Sequence, residues 1–246
     1  MTDRPFADRL ALVTGASRGI GAATAEALGK AGAHVILTAR SSGGLEEVEE
    51  RIHRAGGSAT IAPLDLIDGD SIGRLASAVA GRWDGLDILV LNAAMLGSLS
   101  PVPAIDAREF ARLVTLNISA QQALIAAFDP MLRASTRARV LALTSSVART
   151  PRAYWGAYAA SKAALEALML AYAEEMRAIG NIRAGLVDPG ATATAMRALA
   201  YPGEDPAQLR QPEEVAKAMV ELLRDDFETG ARISVKALAE KAVASA

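Results

Sequence analysis

Seven short apolar runs alternate with six longer stretches of helical period, and nothing else in the sequence narrows the fold as far. The runs lie at 10–14, 34–39, 59–64, 86–91, 139–144, 182–187 and 232–235, and the helical stretches at 19–31, 45–55, 71–83, 107–132, 157–179 and 213–225. Strands separated by helices pair in parallel, because a parallel pair needs a crossover and the crossover is usually a helix. The alternation therefore predicts an α/β chain on a doubly wound, parallel, seven-stranded sheet with helices on both faces. With 246 residues, 51% of them apolar, there is material for one large core, and no linker, repeat or low-complexity block divides the chain. A single domain over 1–246 is the expectation. The closing stretch KALAEKAVASA is small and helix-prone.

Charge and composition exclude several classes of function. The 26 basic and 28 acidic residues are interspersed and leave a net charge of −2, so no basic patch calls for nucleic acid and no polybasic run for a membrane. No apolar run reaches the length of a membrane span, and the opening MTDRPFADRL carries two aspartates where a secretory leader needs an apolar core. A cytoplasmic protein is expected. Without cysteine there are no disulfides, thiolate zinc sites or thiol nucleophiles, and His34 and His53 alone make a poor metal site, so no metal is expected.

The stretch LALVTGASRGIG, residues 10–21, admits two incompatible descriptions. Gly15 to Gly19 spells the G-x-S-x-G of a hydrolase nucleophile elbow, with Ser17 as nucleophile. That arrangement needs a histidine late in the chain, yet both histidines lie within a few dozen residues of Ser17. The alternative is a phosphate-binding turn. A strand ending at Thr14 and a helix opening near Gly19 leave unpaired N–H groups at the positive end of the helix dipole, and Gly15, Gly19 and Gly21 let a pyrophosphate approach the backbone. With that turn the sheet becomes Rossmann-type, although the spacing is G-x-x-x-G-x-G rather than G-x-G-x-x-G.

TGASRGIG resembles the cofactor loop of the classical short-chain dehydrogenase/reductase family. Further family-like motifs follow in order: NAA at 92–94, Asn117 in TLNISA, Ser145 upstream of YAASK at 158–162, and DPG at 188–190 after the sixth strand. The resemblance covers nearly the whole chain. It implies a catalytic group of Asn117, Ser145, Tyr158 and Lys162. Lys162 would also bind the nicotinamide ribose, Asn117 would help hold a relay water, and Ser145 would polarise the substrate carbonyl, with Ser146 as its rival in the TSS doublet. It implies cofactor contacts from Gly15, Ser17, Arg18, Gly19, Ile20 and Gly21, from Asp65 and Leu66 at the adenine, and from Asn92 and Ala93 at the ribose. Pro189, Gly190, Thr192 and Thr194 would serve the nicotinamide end, although either threonine could instead cap a helix. Ala94 stands where the family usually has glycine. The helices at 107–132 and 157–179 resemble the pair through which family members associate, which implies a homodimer or homotetramer; the chain lacks the usual glycine-rich ending, so both sizes stay open.

The chemistry of Tyr-x-x-x-Lys stands without the resemblance. Residues four apart share a helix face, so Tyr158 and Lys162 point the same way. A phenol near pKa ~10 is a poor base at neutral pH. An adjacent ammonium and an oxidised nicotinamide would both favour phenolate, and lowering the pKa by about three units needs roughly 4 kcal/mol. Tyr158 would then serve as general acid and base, and Ser145 as a donor to the oxygen that gains charge.

Cofactor preference turns on HVILTAR, where a carboxylate at the strand end would grip the ribose 2′-hydroxyl and select NAD. Ala39 and Arg40 stand there instead, and Arg40 with Arg18 can clamp a 2′-phosphate, so NADP(H) is preferred over NAD(H). The expected substrate is a small carbonyl compound or secondary alcohol, bound among residues 95–100, 153–155 and a substrate loop at about 191–212. Tyr154, Trp155, Met95, Met196 and Leu199 suggest apolar walls, Trp155 equally a core anchor. Arg152 and Arg197 are both open as carboxylate clamps. An NADP(H)-binding sensor without turnover is the alternative to an enzyme, and an intact catalytic group argues against it.

Overall fold

The structure, a computed structural model, describes residues 4–238. Its first half alternates β1 (Leu10–Thr14), α1 (Gly19–Lys30), β2 (His34–Ala39), α2 (Ser42–Arg54), β3 (Ser58–Pro63), α3 (Gly69–Ala80) and β4 (Ile88–Leu91). Then come α4 (Ala107–Val114), a π-helical turn (Thr115–Ser119), α5 (Ala120–Ala134), β5 (Ala138–Leu143), a 3-10 turn (Ser146–Ala148), α6 (Gly156–Arg177) and β6 (Ile182–Asp188). The chain continues with α7 (Ala195–Ala200), α8 (Pro212–Asp225) and β7 (Arg232–Ser234). The sheet has seven strands in the order β3-β2-β1-β4-β5-β6-β7, all neighbours parallel.

Period-two alternation sorts each strand's side chains onto two cores. From β1, Leu10 and Leu12 join Leu89, Val140 and Leu186 beneath α3, α5 and α6, where Phe128 and Met169 fill the layer. Ala11 and Val13 point the other way and join Val35, Leu37 and Leu141 beneath α1, α2 and α8, with Leu28, Ile52 and Met219. Both faces are buried, which is why the runs read as continuously apolar. At the amino end of the sheet, Asp87 accepts from the Leu10 N–H at 2.9 Å, from Arg9 at 3.0 Å and from Ser135 Oγ at 2.6 Å, pinning β1 to β4 far from the glycine turn.

Two expectations are revised. The helix expected over 107–132 is interrupted by the π-helical turn, whose wider winding inserts a residue without ending the helical path. The last strand stops at Ser234, and residues 235–238 are helical. From residue 239 the closing helix-prone stretch lies outside the described residues.

Candidate active site

The strand order reverses at β1, which has β2 on one side and β4 on the other, so a crevice opens at the carboxyl ends of β1 and β4. Thr14, fully buried, organises it. Its Oγ1 donates to the Val90 carbonyl at 3.2 Å and accepts from the N–H groups of Asn92 and Ala93, each at 3.0 Å. Asn92 Nδ2 donates to the Thr14 carbonyl at 2.8 Å and to the Gly15 carbonyl at 3.3 Å. Gly15 lies at φ +65°, and a Cβ on Gly21 would come within 2.3 Å of the Gly15 oxygen and 2.4 Å of Asn92 Nδ2. These glycines let α1 start directly against β1 and β4.

The turn suits an anion. The first N–H groups of α1 have no intrahelical acceptor, its N-cap residue Arg18 gives no side-chain cap, and its first turn holds no acid. A cation beside the positive end of a helix is unfavourable unless an anion joins both. Ser17 is half-buried in the turn and Arg18 exposed, while Gly19 and Ile20 begin the helix. A Cβ on Gly44, in the first turn of α2, would come within 2.9 Å of Ser17 Cβ, so the segment carrying Arg40 lies beside the glycine turn. Arg18 and Arg40 are exposed, and among the described residues neither guanidinium has a hydrogen bond or ion pair. Asp65 is exposed at the end of β3 with Oδ1 held by the Ile67 N–H at 3.1 Å, beside a recess of about 330 Å³, and Leu66 is buried. The glycine turn, the two arginines and Asp65 thus follow one another along one edge, with donors and cations where phosphates could be held.

Tyr158 and Lys162 lie one turn apart on α6, 8% and 3% exposed. Lys162 Nζ donates to the Leu143 carbonyl at 2.7 Å and sits 5.8 Å from the Tyr158 ring centroid. Burial pushes the lysine down to about 8. Burial also pushes the Tyr158 phenol well above its usual value, with the Asp188 carboxylate adding to the rise. The causes of that rise are burial and Asp188, while the Lys162 ammonium is engaged by a strand-end carbonyl.

Ser145 is half-buried at the end of β5, and its Oγ accepts weakly from the Val147 N–H at 3.5 Å as the cap of the 3-10 turn. Ser146 is exposed. Val147, Tyr158 and Leu96 form one cluster, with Leu99, Trp155, Met196 and Ala200 packed on it, which brings the serine turn, the tyrosine and α7 together. Asn117, 1% exposed, lies in the π-helical turn. Its Oδ1 accepts from the Met95 N–H at 2.9 Å, and its Nδ2 donates to the Met95 carbonyl at 2.9 Å and to Ser161 Oγ at 3.0 Å. That side chain ties the segment after Ala94 to α6.

After β6, the Gly190 N–H bonds Asp188 Oδ1 at 3.0 Å, and Pro189 accepts from Arg210 at 3.1 Å. Thr192 is buried with its hydroxyl on the Pro189 and Gly190 carbonyls. Thr194 caps α7 through the Arg197 N–H at 3.2 Å and faces Gly19, whose added Cβ would lie 3.4 Å from Thr194 Cγ2. The structure thus gathers Asn117, Ser145, Tyr158 and Lys162 about one cleft, with the glycine turn and the 189–194 segment beside it. Sequence reasoning missed Thr14, which a hydroxyl ending an apolar strand could have flagged. It also missed Arg210, which closes the base of the substrate loop, and Glu166, buried with Oε1 on Thr144 Oγ1 at 2.8 Å and Oε2 on Arg232 at 3.3 Å.

The comparisons agree with this fold. The model of the short chain dehydrogenase family matches residues 9–205. The uncharacterized oxidoreductase YciK of Escherichia coli strain K12 is 36% identical over 222 residues, covering 89% of this chain and 87% of its own. A short chain dehydrogenase from Shigella flexneri 2a strain 301, complexed with NADP, superposes with a TM-score of 0.91 at 34% identity, over 96% of this chain and 100% of its own. One from Escherichia coli CFT073, complexed with NADPH, gives 0.89 at 34%, over 96% and 99%.

Proposed function

The chain belongs to the short-chain dehydrogenase/reductase family, and from that premise we propose that it is a cytoplasmic NADP(H)-dependent oxidoreductase interconverting a carbonyl and a secondary alcohol. The reading takes residues 1–246 as one domain whose substrate loop spans about 191–212. The observation that carries it is the buried Tyr158 and Lys162 pair beside the glycine turn.

The cofactor would be held by Gly15, Ser17, Arg18, Gly19, Ile20 and Gly21 at its pyrophosphate, by Asp65 and Leu66 at the adenine, and by Asn92 and Ala93 at the ribose. Lys162 would hold the nicotinamide ribose, and Pro189, Gly190, Thr192 and Thr194 the nicotinamide end. When bound, NADP(H) supplies or takes the hydride. Preference for NADP(H) is supported by the unpaired guanidinium groups of Arg18 and Arg40, by the missing carboxylate after β2, and by NADP and NADPH in two similar proteins.

The protein's own part is proton and charge handling. Tyr158, kept protonated by burial, gives its proton to the carbonyl oxygen as that oxygen gains charge, while Ser145 Oγ donates a hydrogen bond to the same atom. Lys162, pushed down to about 8, exchanges a proton near neutral pH and restores the phenol. Both ends of the Asn117 side chain are engaged, so its share in a water relay falls to its main-chain carbonyl, in a turn where i→i+5 winding disturbs the regular bonding. We further infer a homodimer or homotetramer through the α4–α5 and α6 faces.

Calorimetric titration with NADPH and NADH at fixed salt, paired with a ketone and aldehyde screen, tests the reading. NADPH is expected to bind at least about tenfold tighter than NADH, a gap of about 1.4 kcal/mol. Tyr158→Phe should bind NADPH like the wild type and lose about 10²- to 10⁴-fold in carbonyl reduction. Equal affinities would overturn the NADP preference, and an active Tyr158→Phe would overturn the catalytic assignment.

A further inference from the structure

Aromatic rings and guanidinium groups gather beside Tyr158. Trp155 meets Tyr158 edge-on with 6.0 Å between centroids and lies tilted against Tyr201 at 5.8 Å, so the rings run in series from the phenol outward to the substrate loop. The Tyr201 hydroxyl accepts from Arg152 Nη1 at 3.0 Å, which joins the segment before α6 to the substrate loop across the mouth.

Two arginines therefore flank Tyr201, and their states differ. Arg197 stacks its guanidinium 3.8 Å from the ring centroid and is neutralised by Glu204 in a two-pronged pair at 2.5 and 2.6 Å. Arg152 is exposed, and among the described residues its guanidinium has no carboxylate partner, only the neutral Tyr201 hydroxyl. Arg149 faces Glu166 at 3.9 Å, and Arg210 is turned away from Tyr201 onto the Pro189 carbonyl. Sequence left Arg152 and Arg197 equally open as anion clamps, and the geometry separates them.

The same rim is apolar. Val102, Tyr154 and Leu199 are 70%, 60% and 76% exposed. Val102 sits against Gly156, whose added Cβ would come within 3.0 Å of it, and Leu199 lies on α7 between Met196 and Ala200, which pack on the Tyr158 cluster. Tyr154 is held at φ +72°, a left-handed conformation that side chains of its kind rarely adopt, with its carbonyl accepting from the Ser100 N–H at 3.0 Å. Exposed apolar side chains beside a guanidinium that has no carboxylate partner among the described residues suit an apolar molecule with a negative charge.

Resting on the oxidoreductase reading, the geometry points to a substrate whose reacting carbon sits on an apolar body and which carries a remote carboxylate, held by Arg152 with Tyr201 keeping the guanidinium in place. One guanidinium matches a carboxylate monoanion better than a phosphate dianion. The anchor belongs to the far ring of the Tyr158–Trp155–Tyr201 series, so the proposed carboxylate is a remote one rather than one α to the carbonyl.

The test compares 4-oxocyclohexanecarboxylate, 6-oxoheptanoate and 4-acetylbenzoate with their methyl esters and with 2-oxohexanoate, as substrates for wild type, Arg152→Gln and Arg152→Lys with NADPH. Wild type should favour the acids over their esters and over the 2-oxo acid. In Arg152→Gln the acid-to-ester ratio of kcat/KM should collapse by about tenfold or more, through KM, as loss of one charged hydrogen bond predicts, and Arg152→Lys should recover part of it. An unchanged ratio, or a wild type that prefers esters or the 2-oxo acid, overturns the proposal. A second readout needs no turnover: Trp155 fluorescence, in a Trp83→Phe background, titrated with cyclohexanecarboxylate, octanoate and their methyl esters. Acid binding that weakens about tenfold in Arg152→Gln upholds the anchor even if no ketone is reduced, in which case the oxidoreductase reading alone falls. Equal acid affinity with and without Arg152, or no acid binding at all, overturns the anchor.

Discussion

At the scale of the single residue, Lys162 carries a charge that its burial opposes. A buried ammonium whose one protein acceptor is the Leu143 carbonyl has a pKa near 8, against about 10.4 in the unfolded chain. Between those values the unfolded state binds more protons, so this lysine's destabilising contribution, full below about pH 8, is relieved as pH rises toward about 10. Tyr158 works the other way but only above about pH 10, where the unfolded phenol ionises and the buried one does not. Urea unfolding at fixed protein concentration from pH 7 to pH 10 should therefore show wild type gaining on Lys162→Met, by about 1–3 kcal/mol. A gap constant with pH would mean that Lys162 does not titrate in that window. The types and spacing of Tyr158 and Lys162 were legible in sequence because four residues define one helix face. The direction of the phenol's shift was not, because it depends on where Nζ points and on how much water burial removes.

At the scale of elements, the decisive feature is how tightly α1 abuts β1 and β4. A Cβ on Gly21 meets a backbone carbonyl and the Asn92 amide, and that amide is itself committed to Thr14 and Gly15, so nothing there can yield cheaply. Gly21→Ala should displace the start of α1, cost about 1–3 kcal/mol and weaken NADPH binding about tenfold or more. Gly73→Ala, on α3 with nothing within 4 Å of its added Cβ, should instead stabilise by up to about 1 kcal/mol. Unfolding midpoints and calorimetry on the two variants check the contrast, and an innocuous Gly21→Ala would refute the tight-contact account. The helices and strands themselves were legible, since continuous apolar runs and helical period survive any loop geometry. The π-helical turn that positions Asn117 was not, because one inserted residue barely perturbs a helical pattern. Nor was the meeting of Tyr201 with Trp155 and Arg152, since Tyr201 lies 49 residues beyond Arg152 and reaches it only after β6 and α7 are in place.

For the whole molecule, the two sheet faces are closed by their helices, yet one helical surface is left without cover. On α6, Ala160, Ala163, Ala167 and Ala171 are exposed along a stripe of helical period, while Tyr158, Lys162, Leu165, Met169 and Tyr172 face inward. The adjacent α4–α5 surface presents Ala111, Gln122 and Ala126. Methyl side chains let helix axes approach to about 8 Å, and a stripe that is small along its whole length can pack against a copy of itself about a two-fold axis. Because Tyr158 and Lys162 sit on the opposite face of that helix, packing on the stripe would also hold the catalytic pair steady without touching it. Sedimentation equilibrium is expected to find a dimer or tetramer for the wild type. Ala163→Glu with Ala167→Glu, which places bulk and like charge along the stripe, should shift it to monomer with the far-ultraviolet spectrum intact. A wild type that is monomeric at micromolar concentration, or a double variant that keeps the wild-type mass, would place the association elsewhere or nowhere.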